Sequence, residues 1–463
     1  MNKIVFLFLF PFSLIAQSDQ AALLRQFITG QHQYFRFNGN VLVAKGGKII
    51  YEQAFGYADY SSKRTLNDSS IFELASVSKQ FTAMGIMICE EKGQLKYDDE
   101  IKRFFPNLPY EDITVHQLLT HTSGLPSYEN QFEKKWDRKK IAHNQDVLDL
   151  LLKEKDTLLF QPGTKWMYSN TGYTLLASII EKVSGMSYPD FMTKNIFQPL
   201  GMKHTFVYNT RRSSGKIPPN YALGFVYVDS LKRYILPDSI TSLDMVYYLD
   251  GIVGDGCVNS TTGDLYIWER ALLANKLVSQ LSMDFMLSPL VQQSPRDTTT
   301  FYGFGVGIQI RTPQGKVISH TGGWPGYRTL LAHRMDSDET IIILSNNETN
   351  NGLLRAGIES ILNGETLVMP YEHKGKSIDP SLLDRYVGKY FAFLTMEFIK
   401  KDNKFFRHRA GTPDTELIPE SDTKFFYGDG TDRQIEFEVD GQGKLIKTWF
   451  INTGQKGELK KIE

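Results

Sequence analysis

The sequence holds only two cysteines in 463 residues, Cys89 and Cys257. One disulfide cannot staple a chain of this size, so its stability has to come from buried apolar side chains. Charge of one sign is not in excess: Lys+Arg and Asp+Glu are both 52, a formal net charge of zero. That excludes the broad basic surface of a nucleic-acid-binding protein. Beyond Ile15 no apolar run is long enough to cross a bilayer. There is no fixed-period repeat and no low-complexity tract. What is there is a globular composition, 41% apolar and 13% aromatic, over a length that predicts two domains.

The N-terminus reads Met1-Asn2-Lys3, then an apolar run from Ile4 to Ile15, then Ala16-Gln17-Ser18. A short positive start, a short greasy centre and a small residue at the end predict a secretory leader over 1–17, cut near Ala16-Gln17. The competing reading is an uncut membrane anchor; Pro11 interrupts the run and no basic stop follows it. The mature chain is expected outside the cytoplasm with no transmembrane anchor, secreted or, in a two-membrane bacterium, periplasmic. Cys89 falls in an apolar helical pattern and reads as a buried free thiol. Neither cysteine has a His at a spacing suggestive of a thiol nucleophile.

Two apolar runs, Val41 to Ala44 and Ile49 to Tyr51, flank Gly46-Gly47 and predict a β-hairpin. A helix is predicted from Ser76 to about Lys92, ended by Gly93. From Asp98 to Lys276 the pattern is mostly helical, clearest over Val147 to Leu152 and Thr174 to Val183. Two polar stretches, Glu129 to Asp146 and Asn209 to Asp244, read as long loops, either binding walls or solvated surface. Strand patterns return over Phe304 to Ile310, Lys316 to Ser319, Tyr327 to Arg334 and Thr340 to Ser345, with turns at Pro313-Gln314-Gly315 and Asp336-Ser337-Asp338. Strands at both ends with helices between predict an α+β domain over 18–370, one antiparallel sheet with an inserted helical lobe. A linker over 371–380 then leads to a small all-β unit at 381–463, a barrel or sandwich. Its segments are Gly388 to Phe393, Met396 to Lys400, Lys404 to His408, Phe425 to Tyr427, Gln434 to Val439 and Leu445 to Ile451.

Three short patterns carry chemistry. Ser76-Val77-Ser78-Lys79 places a lysine on the same helix face as a serine. A serine hydroxyl needs a nearby base to become a nucleophile, and a lysine serves if its surroundings lower its pKa. The helix N-terminus also offers the Ser76 N–H to a developing oxyanion. Alone, this is equally a helix cap followed by an exposed lysine. Tyr168-Ser169-Asn170 opens the next strong helix; it offers a phenol for proton transfer and an amide for a substrate carbonyl, or simply a turn and N-cap. His320-Thr321-Gly322-Gly323 ends a strand in glycines that let a ligand approach the backbone, or is a plain β-turn with an exposed His.

In this order the three resemble the serine β-lactamase and penicillin-binding-protein superfamily, in its class C β-lactamase, D-Ala-D-Ala carboxypeptidase and esterase branch. Further runs agree: Ile113-Thr114-Val115-His116-Gln117-Leu118-Leu119-Thr120-His121-Thr122-Ser123-Gly124-Leu125-Pro126, Pro162-Gly163-Thr164, Tyr168 to Tyr173, Pro199-Leu200-Gly201-Met202, and Gly326 after the His320 motif. The resemblance spans about Phe37 to Asn347. The C-terminal unit resembles, more weakly, a lipocalin-like appendage of some members. The resemblance implies that Ser76 attacks a carbonyl to form an acyl-enzyme, that Lys79 and Tyr168 share the proton work, and that Tyr168 activates water for deacylation. It implies substrate contacts from Asn170, His320 and Thr321, and an oxyanion hole from the backbone N–H groups of Ser76 and Gly323. No metal or organic cofactor is implied. The expected partner is a small-molecule or peptide substrate, including one derived from cell wall; oligomeric state is not legible.

One residue departs from the pattern. His320 stands where β-lactamases and carboxypeptidases usually carry a lysine that holds a substrate carboxylate. A largely neutral His weakens that hold. The expectation is therefore a secreted serine hydrolase of amides or esters, a D-amino-acid peptidase, carboxypeptidase or esterase. The alternatives are a β-lactamase and a weakly catalytic penicillin-binding or sensor module.

Overall fold

The computed structural model describes residues 12–311, 315–392 and 395–462, with side chains from residue 19 onward. The centre of the expected leader, the 313–314 turn and Phe393 lie outside the described residues. The chain divides into two compact units, one made of 38–351 and one combining 1–37 with 352–463.

In the first unit, strands from both ends meet in one antiparallel sheet, as the pattern of strands around helices implies. Its eight strands run in the order Val291–Ser294, Asp297–Tyr302, Gly307–Arg311, Gly315–Trp324, Tyr327–Arg334, Glu339–Ser345, Gly39–Lys45, Lys48–Phe55. The Gly39–Lys45 and Lys48–Phe55 strands are joined at Gly46-Gly47, with φ of 57° and 70°. A two-residue hairpin turn that matches strand twist needs positive φ at both positions. Gly39–Lys45 pairs on its other side with Glu339–Ser345, closing a separation of some three hundred residues (Val41 opposite Ile343). Both are buried along almost their whole length, which explains their unbroken apolar runs.

Two strands escape the sequence patterns. Val291–Ser294 and Asp297–Tyr302 are polar, half-exposed and at the sheet edge, so neither carries the alternation that marks a buried strand. The two polar stretches of the lobe also need correction. Tyr128–Lys135 is a helix, capped by the Ser127 hydroxyl and anchored by the fully buried Phe132. Asn209 to Asp244 contains a helical turn at Arg211–Ser214 and a small hairpin, Val226–Val228 with Arg233–Ile235.

The centre of the lobe is the Lys79–Glu91 helix, every residue of which from Lys79 to Cys89 is buried. It packs beside the Asn170–Ser184 helix, whose start is capped by Ser169 and whose end is a left-handed Gly185. Cys89 and Cys257 are both free. Burial pushes the Cys89 thiol up to about 12 and Cys257 well above its ordinary range, so both are inert thiols at neutral pH.

The second unit holds helices at Phe12–Phe35 and Asn351–Leu362 and a closed barrel of eight antiparallel strands between Gly388 and Lys461. Thr415–Pro419 and Gln455–Lys461 complete it beyond the six segments expected. Eight strands give an interior that side chains can fill. Here aromatic rings fill it: Tyr386 stacks on Phe437 at 4.1 Å, and Phe405 and Phe425 pack beside them.

The 366–379 stretch has no helix or strand but is docked. His373 Nδ1 lies 2.8 Å from Glu420 and its Nε2 lies 3.7 Å from Asp432, whose other oxygen accepts from Gln31 of the first helix at 2.9 Å. Burial disfavours the His373 cation, but the bonds and charges of Asp432 and Glu420 outweigh it and raise the pKa above its ordinary 6.5. The folded unit therefore binds this proton more tightly than the unfolded chain. The contribution is present below pH 6.5 and is lost as pH rises through the higher folded value. Thermal melts followed by circular dichroism at pH 6 and pH 8.5 should show the difference. His373→Gln should lower the melting temperature more at pH 6 than at pH 8.5; equal losses at both would refute a charged His373.

Candidate active site

The turn that carries Ser76 is strained and pinned. Ala75 has φ of 48°, a left-handed value costly for any residue with a Cβ. The preceding Leu74 donates its N–H to Val258 O at 2.9 Å, and its carbonyl accepts from the Thr329 hydroxyl at 2.7 Å. Gly322 presses onto the same carbonyl: a Cβ there would stand 2.1 Å from Leu74 O and 2.2 Å from Thr329 Oγ1. Only glycine lets the Gly315–Trp324 strand approach the Ser76 turn this closely.

Ser76 lies in a single 3₁₀ turn, Ala75–Ser78, that runs into the Lys79–Glu91 helix. In that geometry residues three apart eclipse, and Lys79 Nζ reaches Ser76 Oγ at 3.2 Å. Lys79 is fully buried. Its ammonium also donates to Asn170 Oδ1 and to the backbone carbonyl of Asp255, each at 2.7 Å. Three donors meet three acceptors, so the charged form is completely satisfied without water. The rings of Tyr168 and Tyr173 stand 4.9 and 5.5 Å from the same nitrogen, within cation–π range.

Tyr168 is 38% exposed, the accessible member of this group. His121 holds it in place. His121 has φ of 61° and is fully buried. Its carbonyl accepts from Met167 N–H at 2.9 Å, its Nδ1 accepts from Ser169 N–H at 3.1 Å, and its ring lies 4.3 Å from that of Tyr168. Burial, with the nearby charge of Lys79, drives the His121 pKa well below 6.5, so the ring is neutral and Nδ1 is available as an acceptor.

Asn170 is the first residue of its helix, and its Nδ2 donates to Glu129. Beside it, the Asp255 carboxylate accepts from the Tyr128 hydroxyl at 2.7 Å. Burial raises the Asp255 pKa, and Lys79 opposes the rise. Ser76, Asn170, Glu129, Asp255 and Gly323 line one cavity of about 480 Å³.

His320 and Thr321 are not among the described residues that line it. His320 is buried rather than exposed on a turn. Its Nδ1 donates to Thr321 O at 2.7 Å and its Nε2 accepts from the Tyr302 hydroxyl at 3.0 Å. Burial, helped by Lys79, pushes its pKa down to about 3, so it carries no charge at neutral pH. The site thus gathers Ser76, Lys79, Tyr168, Asn170 and Gly323, with His320 behind them. Glu129, Tyr128 and Asp255 have no assigned role in the sequence patterns. Asp255 sits in an unremarked Gly-Asp-Gly, and His121 is legible only as part of a longer run.

Among the described residues no helix is long and apolar enough to cross a membrane. The Beta-lactamase family model matches residues 23–364. Penicillin-binding protein 4* of Bacillus subtilis is 44% identical over 400 residues, 84% of this chain and 88% of the relative. The octameric penicillin-binding protein homologue from Pyrococcus abyssi superposes with a TM-score of 0.67 at 22% identity, over 95% of this chain and 99% of that one. D-amino acid amidase from Ochrobactrum anthropi SV3 superposes with a TM-score of 0.60 at 23% identity, over 76% of this chain and 99% of that one. The last two show the fold; the family match and the Bacillus subtilis relative show more, and the chain belongs to the β-lactamase family, as a serine hydrolase of the β-lactamase and penicillin-binding-protein superfamily.

Proposed function

We propose that the protein is a secreted amidase or esterase acting on D-amino-acid derivatives through an acyl-enzyme on Ser76. The observation that carries this reading is the saturated Lys79 ammonium. It lies against Ser76 Oγ, Asn170 Oδ1 and a backbone carbonyl. In that state it is a fixed positive charge that favours an ionised oxygen beside it. Tyr168 takes the Ser76 proton as Oγ attacks the substrate carbonyl. The tetrahedral oxyanion is held by the N–H groups of Ser76 and Gly323. As the C–N or C–O bond breaks, Tyr168 returns the proton to the leaving group. Water then attacks the acyl carbon, giving a proton to Tyr168; as the bond from the acyl carbon to Ser76 Oγ breaks, Tyr168 passes that proton to Oγ, and the acid leaves with Ser76 restored. Asn170 Nδ2 has a second hydrogen beyond the one given to Glu129, and that hydrogen addresses the substrate amide.

The walls favour substrates without a carboxylate next to the scissile bond. His320 offers no charge there, and the acids nearest Asn170 are Glu129 and Asp255. D-amino-acid amides and esters fit better than classical β-lactams or D-Ala-D-Ala termini, both of which carry that carboxylate. Likeness to penicillin-binding proteins and to a D-amino acid amidase supports the substrate class, and the leader pattern supports secretion. A panel of D- and L-amino-acid amides and esters, D-Ala-D-Ala peptides and nitrocefin tests it. Turnover should concentrate in the D-amides and D-esters, with nitrocefin slow or inert. Fast nitrocefin hydrolysis, or silence across the amides and esters, would overturn the proposal.

A further inference from the structure

One wall of the catalytic cavity carries a cation with unspent donors. Arg211 and Arg212 both line that cavity, and their surroundings differ. Arg212 is held by two carboxylates through three of its five guanidinium donors. It donates to Asp238 through Nε and Nη2 at 2.8 and 3.3 Å, and to Asp250 through Nη1 and its backbone N–H, each at 2.9 Å. Those bonds use both oxygens of both carboxylates. Arg211 is left with an ion pair to Asp238 at 3.7 Å and, among the described residues, no side-chain hydrogen bond. Its side chain is only 11% exposed. A guanidinium has five donors, and Arg211 spends none of them on a hydrogen bond to a described side chain. The guanidinium stands 5.9 Å over the Tyr221 ring. Tyr208 packs edge-on against Tyr221, with ring centroids 5.6 Å apart, and feels the Arg211 charge. The Tyr208 hydroxyl is shut off from bulk water, with Ser214 as its neighbour.

The backbone fixes this wall relative to Ser76. The Phe72–Glu73 strand leads into the nucleophile turn and pairs with Val258–Ser260, which pairs on its other edge with Phe206–Val207. Tyr208 N–H continues that ladder to Cys257 O at 2.8 Å. Two strand spacings, about 10 Å, separate the two outer backbones. Ser76 and Arg211 line the same cavity from these two sides.

We propose that Arg211, with Tyr208 beside it, is a subsite for a carboxylate on the side chain of the acyl residue, so that the enzyme prefers acidic D-amino-acid derivatives. The proposal rests on Ser76 being the nucleophile of the reading above. A planar carboxylate matches the guanidinium fork. Asp238 already pairs with Arg211 and Asp250 is engaged by Arg212; the remaining acid on this wall is Glu73, which lines the same cavity. Burial pushes Glu73 up to about 7, against Arg212 and Arg211 and with Asp250 and Asp238 reinforcing it; Tyr221, Tyr327 and Cys257 also face it. At pH 6 Glu73 is protonated and does not cancel Arg211.

The test uses two isosteric probes, D-isoglutamine (the α-amide of D-glutamate, with a free γ-carboxylate) and D-glutamine amide, in which that group is a neutral amide. Binding is measured by calorimetry at pH 6 on Ser76→Ala and on Ser76→Ala combined with Arg211→Met, Arg211→Lys or Tyr208→Phe. The Ser76→Ala protein should bind D-isoglutamine about tenfold to a hundredfold more tightly. Arg211→Met should bring the ratio near one, and Arg211→Lys and Tyr208→Phe should retain part of it. Equal binding of the two probes to Ser76→Ala, or a ratio that survives Arg211→Met, would overturn the subsite. Binding to a protein without the nucleophile does not depend on the chemistry, whereas residual turnover by Ser76→Ala would sink the nucleophile and leave the binding ratio untouched.

Discussion

Ser76→Ala is expected to abolish turnover of every ester and amide the protein hydrolyses, and with it labelling by fluorophosphonate or fluorescent penicillin. Removing a covalent nucleophile costs on the order of 10⁴–10⁶ in kcat, because the remaining groups cannot act on a carbonyl without it. The change should leave the fold alone. Ser76 Oγ receives one bond, from Lys79, whose ammonium keeps Asn170 and Asp255 as acceptors. An unaltered melting temperature with lost activity is the expected pair of results. Mass spectrometry of the labelled wild type should place the adduct on the peptide containing Ser76. Full labelling of the alanine variant would mean that another residue is the nucleophile.

Lys79→Met is the second large effect, a loss of about 10²–10⁴ in kcat, the range for removing one proton-transfer group. Methionine keeps most of the buried length, so packing against the Tyr173 ring survives. The substitution strips the donor from Asn170 Oδ1 and Asp255 O, each worth about 1–3 kcal/mol if left dry. It also removes the burial of a cation, an opposing gain. The net change in melting temperature should be small against the kinetic loss, and KM should move less than kcat. If kcat falls less than tenfold, Lys79 is not the group that prepares Ser76 and Tyr168, and its three bonds are structural.

The sequence patterns placed Ser76 beside Lys79 through local geometry. Ser76 and Lys79 are three apart, and any helical turn makes them neighbours, so no knowledge of the rest of the chain is needed. The Ser169 cap, the Gly46-Gly47 hairpin and the central strands are legible for the same reason: each expresses its physics within a few residues. The edge strand Val291–Ser294 and its neighbour Asp297–Tyr302 are not legible, because polar, half-exposed strands near the rim lack the apolar face that announces a strand. The helix Tyr128–Lys135 hides behind its charges, having only Tyr128, Gln131 and Phe132 on its buried face.

The site divides along the same line. That a serine, a lysine, a tyrosine and an asparagine act together is what the family resemblance implies. What surrounds them does not. Asp255 meets Lys79 across 176 residues, Glu129 meets Asn170 across 41, and His121 holds the Tyr168 segment across 48. The orientation of His320 is likewise tertiary. A strand residue may face either side of its sheet, and the ring turns inward because Tyr302 on a neighbouring strand and Thr321 O supply both its partners. So the sequence by itself determined the α+β fold and a serine with a lysine beside it. Tertiary structure alone decided the charge states around that serine, because desolvation and cross-chain hydrogen bonds set them, and neither is a property of neighbouring residues.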